Sequence, residues 1–269
     1  MSDLEKLEDL AKKVRIDVLE MTSNAGSGHP GGSMSCVDIL VTLYFKILNH
    51  KPDYPNGEDR DRFILSKGHA APALYSVLAL RGYISHGDLL GLRSFGSILQ
   101  GHPDRKLPGV EVSTGSLGQG LSIATGVALS AKMDHKNYYT YVLLGDGECD
   151  EGQIWEAAMF ASHHKLDNLI AIVDRNKYQI DDLTENVVSL EPFAQKWKSF
   201  GWCVFEVDGN NINELLNCFD QIKPILGKPK VIIAHTIKGK GINFMEGCNA
   251  YHGKCLTKDE CIQACKQLR

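Results

Sequence analysis

The clearest pattern of apolar and polar positions lies at the N-terminus. Between Leu4 and Met21, apolar side chains recur every three to four residues, as on one face of an α-helix. Ser2 and Glu5 have the spacing of a capping box at the start of this stretch. The pattern therefore predicts an opening amphipathic helix of about five turns.

The rest of the chain alternates between glycine-rich loops and short periodic segments. Helices are predicted over 37–48, 71–81, 121–133, 153–165, 192–200 and 212–222, and strands over 62–66, 138–144, 169–173, 203–207 and 231–234. Continuous apolar strands separated by helices are typical of a parallel sheet covered on both faces. We expect one doubly wound α/β domain over residues 1–269, with the first hundred residues forming helices and loops around the sheet.

Composition and charge narrow the class of protein. The chain is 43% hydrophobic and 23% charged, which is ordinary for a globular protein. A net charge of -4 with mixed signs gives no reason to expect nucleic acid or a membrane surface as a partner. No window approaches the ~18 apolar residues of a membrane span, and the charged N-terminus is unlike a secretory signal. We expect a cytoplasmic protein.

The cysteines raise the question of a metal site. Four of the eight crowd the C-terminus, at Cys248, Cys255, Cys261 and Cys265. Only Cys261 and Cys265 have a spacing near that of paired zinc ligands. Reduced thiols in a cytosolic protein are the favoured interpretation, and a structural metal is the alternative.

A candidate cation site follows two predicted strands. In YVLLGDGECDEG an apolar run ends in a glycine, and Asp146 comes directly after it; Asn176 follows the next strand. A single crossover separates these strands, so they are expected to be neighbours with both ends at one edge of the sheet. Carboxylate and amide oxygens suit Mg²⁺. The pattern predicts a Mg²⁺ site that leaves charge for a phosphate-bearing ligand.

The remaining acids of this run have a simpler explanation. Glu148, Asp150 and Glu151 flank the start of a predicted helix, where the helix dipole favours negative charge. Helix capping is therefore the alternative interpretation of the whole run. Gly145 and Gly147 argue against it, because glycines on both sides of an aspartate let the backbone approach a ligand closely.

Several basic side chains stand in loops where no helix or strand requires them. Neutral imidazoles can exchange protons with substrate hydroxyls. Two lysines in glycine-rich loops could neutralise phosphate, although a solvated surface position is the usual alternative for lysine. The histidines are His29, His69, His102 and His252, and the lysines are Lys67 and Lys238.

These segments resemble a known family. GDGECDEG with the later Asn176 resembles the thiamin-diphosphate motif. SGHPGG, LSKGHAAPALY, GHPD, STGSLGQGL, HTIKGKG and YHGK are similar, in order, to segments of transketolase. The resemblance implies the thiamin-diphosphate-binding fold and transfer of a two-carbon ketol unit from a ketose phosphate to an aldose phosphate, as in the pentose phosphate pathway.

The resemblance also implies roles for individual residues. The Mg²⁺ ligands would be Asp146, Asn176 and the main-chain carbonyl of Tyr178, with Ca²⁺ or Mn²⁺ as possible substitutes. The cofactor thiamin diphosphate would contact His69, Gly115, Ser116, Leu117, Asp146, Gly147, Glu151, Asn176, Lys238 and His252. The family often has proline where Ser116 stands, but only its backbone is used. His29, His102 and His252 would be the catalytic residues facing the substrate.

The resemblance covers only the diphosphate-binding (PP) part of transketolase. The pyrimidine and C-terminal domains have no counterpart here. In the family, the pyrimidine domain carries the glutamate that activates the cofactor and the arginines that bind the substrate phosphate. The resemblance therefore implies the N-terminal subunit of a split transketolase, active only with a separate C-terminal subunit, in an assembly with two copies of each chain.

Other interpretations stay open at this point. One is a subunit of another thiamin-diphosphate enzyme, such as a 1-deoxyxylulose-5-phosphate synthase or the α-subunit of a keto-acid dehydrogenase. Another is a transketolase subunit specialised for an unusual sugar phosphate. A third is a non-catalytic binding module that keeps the fold. A dinucleotide site is disfavoured, because GSLGQG lacks the required glycine spacing.

Overall fold

A computed structural model describes residues 2–269. Within this range the strands are β1 (Arg62–Leu65), β2 (Thr140–Gly145), β3 (Leu169–Arg175), β4 (Cys203–Asp208) and β5 (Lys230–His235). The α-helices are α1 (Asp3–Ala25), α2 (Pro30–Ser35), α3 (Val37–Thr42), α4 (Ala71–Arg81), α5 (Gln119–Met133), α6 (Gly152–His163), α7 (Thr184–Val187), α8 (Phe193–Ser199), α9 (Ile212–Ile222) and α10 (Lys258–Leu268).

The strands form a parallel sheet whose two faces are both buried. Alternate side chains of β2 belong to different cores: Tyr141 and Leu143 pack with α1, α3, α4 and α9, whereas Val142 and Leu144 pack with α5, α6 and α8. This follows from the two-residue period of a strand. The predicted doubly wound α/β fold with helices on both faces is confirmed.

The strand order brings several strand ends together. The order is β1-β2-β3-β5-β4, and every pairing is parallel. The expectation that β2 and β3 are neighbours is confirmed, with Gly145 beside Asp174. Asp174 is in turn beside Ala234 of β5. The loops that follow β2, β3 and β5 therefore leave the sheet side by side.

Two expectations about the N-terminal part need correction. The first hundred residues do not merely surround the sheet, because β1 is its edge strand and α1, α3 and α4 cover much of one face. The helix predicted over 37–48 also changes character: α3 ends at Thr42, and Leu43–Ile47 form a turn of π-helix.

The C-terminus contains a helix that is not among the predicted elements. α10 is capped by Thr257, whose hydroxyl accepts from the Glu260 N–H while the Glu260 carboxylate accepts from the Thr257 N–H. α10 packs against α1 with Cys261 and Cys265 on its buried side. Among the helices of residues 2–269, none combines the length and apolar character that crossing a membrane requires.

Candidate functional site

A cavity of about 360 Å³ lies at the carboxyl ends of the strands. Most of the predicted site residues line it together: His29, His69, His102, Gly115, Leu117, Asp146, Gly147, Glu151, Asn176, Tyr178, Lys238 and His252. Ser116 does not line it and is exposed, so any contact with a ligand would have to come from its backbone. The loops after β1, β2, β3 and β5 thus meet around one space, as expected of a parallel sheet.

Asp146 begins the loop after β2 and is only 1% exposed. Its carboxylate accepts hydrogen bonds from the Gly147 N–H at 2.9 Å and the Lys177 N–H at 2.5 Å. Burial, together with the nearby Asp174 carboxylate, raises the pKa of Asp146 to about 6, although Arg175 opposes this shift. A bound cation would favour the ionised form.

Asn176 lies one residue beyond β3 and lines the same cavity. Its amide oxygen accepts from the Tyr178 N–H at 3.1 Å, and its Nδ2 donates to Asp174 at 3.3 Å. These contacts fix which end of the amide faces which neighbour.

The residues present fit Mg²⁺ and a diphosphate. Asp146 and Asn176 offer oxygen atoms from adjacent strand ends, and Mg²⁺ binds proteins through few side chains while keeping water or phosphate ligands. Within residues 2–269, no three His, Cys, Asp or Glu side chains form a metal cluster. Gly147 has no room for a side chain, because a Cβ there would lie 2.9 Å from Cβ of Gln179. A glycine at this position keeps the backbone beside the cavity free of side-chain atoms, as a backbone cradle for phosphate requires.

Four histidines form a cluster at the mouth of the site. The His29 ring centroid lies 5.4 Å from that of His69, 6.4 Å from that of His102 and 5.7 Å from that of His252. Burial, reinforced by Arg93, lowers the pKa of His29 to about 4, and burial with Lys238 lowers that of His252 to about 3. Burial also lowers the pKa of His69 and of His102. The cluster is therefore neutral near pH 7.

Lys238 determines the tautomer of His252. Its ammonium is 1% exposed and contacts Nδ1 of His252 at 2.7 Å and Oδ1 of Asn249 at 2.9 Å. An ammonium can only donate, so Nδ1 must accept, and the ring proton resides on Nε2. Burial, together with the nearby positive charge of Lys67, lowers the pKa of Lys238 to about 8.

Lys67 was expected to neutralise phosphate, but its charge is already paired within the chain. It lines the cavity, but its ammonium forms an ion pair with Asp174, and both side chains are almost fully buried. It also donates to the carbonyl of Gly32 at 2.9 Å. Burial is the largest single influence and opposes the charge of Lys67, yet Asp174, Cys36 and Asp146 together outweigh it and raise the pKa of the ammonium.

The acidic run after β2 serves more than one purpose. Glu148 is 3% exposed, and its carboxylate accepts from the Gly118 N–H at 2.8 Å, the Gly145 N–H at 2.9 Å and the Ser66 hydroxyl. Glu148 stands in the first turn of the short 3₁₀-helix Gly147–Asp150, near the start of α6 as expected, and it also joins Ser66, Gly118 and the end of β2. Glu151 is exposed at the edge of the cavity and precedes α6 without a side-chain cap.

Sequence reasoning missed two buried charged residues beneath the site, Asp174 and Arg175. Both belong to β3. Asp174 accepts from Lys67, from the Ser35 hydroxyl at 2.6 Å and from the Thr236 hydroxyl. The sequence did contain a sign of these residues: a charged pair ends the apolar run LIAIV. Charges in a fully buried strand require partners, so such a pair points to buried ion pairs.

The C-terminal cysteines stand apart from this cavity. All eight cysteines are free thiols in the structure. Burial raises the pKa of Cys265 to about 12 and also raises that of Cys261. Neither belongs to a group of metal-ligating side chains among residues 2–269.

A parallel sheet covered on both faces, with polar groups converging at its carboxyl edge, defines a ligand-binding α/β domain. Residues 7–268 match the family model described as transketolase, thiamine diphosphate binding domain. The chain therefore belongs to the transketolase family.

Individual relatives agree with this assignment. The chain is 45% identical to one of the apulose-4-phosphate transketolase subunits, that of Phocaeicola vulgatus, over 98% of this chain and 94% of the relative. It is 47% identical to a 6-deoxy-6-sulfo-D-fructose transketolase subunit of a Clostridium species, over 94% and 92%. Human transketolase is 42% identical over 98% of this chain, which spans only 42% of its length.

Solved structures give the same result for the fold. Transketolase from Campylobacter jejuni superposes with a TM-score of 0.95 at 35% identity, covering 99% of this chain and 43% of that protein. The chain thus has the thiamin-diphosphate-binding α/β fold predicted from the sequence.

Proposed function

We propose that this chain is the N-terminal subunit of a split transketolase. It forms one diphosphate-binding domain, binds thiamin diphosphate with Mg²⁺, and transfers a two-carbon ketol unit from a ketose phosphate to an aldose phosphate. It does so only with a separate chain that carries the pyrimidine and C-terminal domains. Two copies of each chain form the proposed assembly.

One observation carries this proposal. Asp146 and Asn176 follow adjacent parallel strands and line the same cavity as the four histidines. A site for a cation and diphosphate beside neutral proton-transfer groups suits a cofactor-dependent carbon transfer. The near-complete overlap with two proteins named as transketolase subunits supports the split arrangement.

In this proposal the residues of the chain bind, orient and move protons. Asp146, Asn176 and the Tyr178 carbonyl hold Mg²⁺, and the backbone of Gly147 contacts the diphosphate. When bound, thiamin diphosphate supplies the carbon nucleophile for the two-carbon unit. Lys238 keeps the ring proton of His252 on Nε2, and the neutral ring donates a hydrogen bond from Nε2–H to a substrate oxygen.

Two further histidines complete this arrangement. His29 and His102 are neutral near pH 7 and exchange protons with substrate hydroxyls. Nδ1 of His29 is buried and has no hydrogen-bond partner among residues 2–269, which leaves it available to a ligand. An unpaired buried nitrogen is costly, so a bound hydroxyl would stabilise the site.

The sugar substrates have two candidate classes. Ketose and aldose phosphates of the pentose phosphate pathway are the first. A specialised sugar is the second, because the two relatives matched over nearly their whole length are named for apulose 4-phosphate and 6-deoxy-6-sulfo-D-fructose. A panel of ketose donors, with and without phosphate or sulfonate, would separate the two.

The decisive experiment reconstitutes the assembly. The chain alone, given thiamin diphosphate, Mg²⁺ and sugar phosphates, should show no ketol transfer. Adding the protein encoded beside its gene, if that protein resembles the missing domains, should restore transfer. Robust turnover by this chain alone would refute the split arrangement.

A binding experiment tests the cation site. Calorimetry of the assembly with thiamin diphosphate should show a Mg²⁺-dependent component of binding. Asp146→Ala should abolish that component, whereas Asp3→Ala at the surface should leave it intact. If binding by the unchanged assembly is independent of Mg²⁺, the proposed cation site is wrong.

A further inference from the structure

Arg175 is a buried cation whose partners come from two sides. It is the last residue of β3, and its side chain is 2% exposed. Nη1 of the guanidinium lies 3.4 Å from Oδ2 of Asp146. Its remaining polar partners all belong to residues 177–191, which we call the rim segment because its first residues line the cavity.

The contacts to the rim segment are short and directional. Nη1 donates to Oγ1 of Thr184 at 2.7 Å, and Nη2 donates to carboxylate oxygens of Glu185 at 2.9 Å and Glu191 at 3.1 Å. The guanidinium also lies over the Phe193 ring, with its carbon 5.5 Å from the centroid. Only a planar group with several fixed donors satisfies so many acceptors at once.

Few apolar side chains of the rim segment are buried. Leu190 lies in the core, but Ile180 is 71% exposed and Val188 is 55% exposed. Side-chain contacts to the segment from other elements include Asn249 to the Ile180 carbonyl at 3.0 Å and Lys196 of α8 to the Ser189 carbonyl at 3.2 Å. Segments with few buried apolar contacts open at low free energy, so the polar contacts of Arg175 carry much of its stability.

We propose that Arg175 is a positioning residue that joins the rim segment to the Asp146 carboxylate, so that the predicted cation site and this wall of the cavity keep one arrangement. Asp146 would otherwise lie buried with only backbone donors. Without Arg175, Glu185 would keep only Ser189 and the Leu190 N–H as partners, and Glu191 only the Phe193 N–H. The part of this inference that concerns the cation rests on the proposed function.

Hydrogen exchange on the unliganded chain tests the connection without any cofactor. Arg175→Gln should raise the exchange rate of rim-segment amides at least about tenfold, with little change in β5. Arg175→Lys keeps the charge but cannot reach all these acceptors, so it should behave much like the glutamine variant. An Arg175→Lys variant as protected as the unchanged chain would overturn the proposal, since a point charge would then suffice.

A cation titration of the assembly gives a readout that a merely structural role would not move. In the presence of thiamin diphosphate, water-proton relaxation measures the Mn²⁺ concentration at which the site is half-saturated. When Arg175 is present, replacing both Glu185 and Glu191 by glutamine should change the Mn²⁺ concentration at half-saturation several-fold. In the Arg175→Gln variant, the same double replacement should have no further effect. Lys196→Gln, which contacts the rim segment but not Asp146, is the matched control and should leave half-saturation unchanged.

The outcomes separate this inference from the proposed function. The positioning role would be contradicted if the changes in half-saturating Mn²⁺ concentration from Arg175→Gln and from the double glutamate replacement were additive. It would also be contradicted if Lys196→Gln changed that concentration equally. If the unchanged assembly binds no Mn²⁺ with thiamin diphosphate, the proposed function fails. The hydrogen-exchange comparison then still decides whether Arg175 holds the rim segment.

Discussion

Lys67 and Asp174 form an ion pair in the interior of the molecule, directly beneath the candidate cofactor site. Their side chains are 1% and 0% exposed. Lys67 follows β1 and Asp174 lies near the end of β3, so the pair joins the loop after β1 to β3, across β2. Because Asp174 also binds Asn176, the pair fixes a predicted cation ligand from below.

Removing one partner of this pair should be costly. Asp174→Asn leaves the Lys67 ammonium buried without a counter-charge, and such changes destabilise proteins by about 3–5 kcal/mol. We expect a loss of this size in the free energy of unfolding, measured by urea denaturation of the chain. Lys67→Met combined with Asp174→Asn should recover part of the loss, because no stranded charge remains.

The control is an ion pair of similar length at the surface. Lys46 lies 2.7 Å from Asp3, and the Asp3 side chain is 70% exposed. Asp3→Asn should leave the denaturation midpoint almost unchanged, since exposed pairs contribute little. If Asp174→Asn is as mild as Asp3→Asn, the buried pair does not stabilise the chain.

Gly31 should not tolerate a side chain. A Cβ at this position would lie 2.7 Å from the carbonyl oxygen of Tyr251, in the turn that carries His252. Gly31→Ala must therefore displace that turn, and overpacking of this kind costs about 1–3 kcal/mol. We expect that loss in urea denaturation, together with a shifted His252 resonance in the NMR spectrum of the histidine side chains.

Gly126 provides the matched control for Gly31. It lies inside α5, and a Cβ there would have nothing within 4 Å. Gly126→Ala should raise stability by about 0.5–1 kcal/mol through helix propensity and leave the His252 resonance in place. Equal effects of the two substitutions would show that contact with Tyr251 is not the cause.

The sequence was sufficient to predict the sheet and the main parts of the site. Buried parallel strands appear as continuous apolar runs, so β2 and β3 were recognisable. The rule that parallel strands end at one edge then placed Asp146 and Asn176 at the same side of the sheet. Glycine-flanked histidines were detectable because loops at such an edge concentrate function.

The partners of the charged residues were not predictable in the same way. Lys67 and Asp174 are far apart in sequence, and the spacing of apolar and polar residues does not indicate which buried charges form ion pairs. The acceptor role of Glu148 was not predictable for the same reason, since its donors Ser66, Gly118 and Gly145 come from three separate parts of the chain. α10 differs, because its signals were present in the sequence: Thr257 and Glu260 form a capping box in TKDE, and Cys261, Ala264, Cys265 and Leu268 recur at helical spacing.

Glu148 should be required for the arrangement of the loops around the cavity. Glu148→Gln replaces two strong acceptors by one oxygen and an NH₂ group, which must then face backbone N–H donors of Gly118 or Gly145. Losing hydrogen bonds to a buried charge should cost about 2–4 kcal/mol in the free energy of unfolding. The exposed Glu151→Gln should change it by less than about 0.5 kcal/mol.

The histidine cluster should make stability depend on pH in a specific window. His29 and His252 have folded pKa values of about 4 and about 3, below the ordinary value of 6.5. The unfolded chain therefore binds more protons between about pH 6.5 and pH 4, so stability falls as the pH is lowered through this range and is fully present above it. Each histidine contributes a slope of at most about 1.4 kcal/mol per pH unit.

Replacing one of these histidines should flatten this dependence. In His29→Gln, urea denaturation between pH 4.5 and 7.5 should show a smaller slope than in the unchanged chain, because one depressed titration is gone. His163→Gln, on the exposed surface of α6, is the control and should leave the slope as it was. An unchanged slope in both His29→Gln and His252→Gln would mean that these rings are not held neutral by burial, and the roles proposed for them would lose their physical basis.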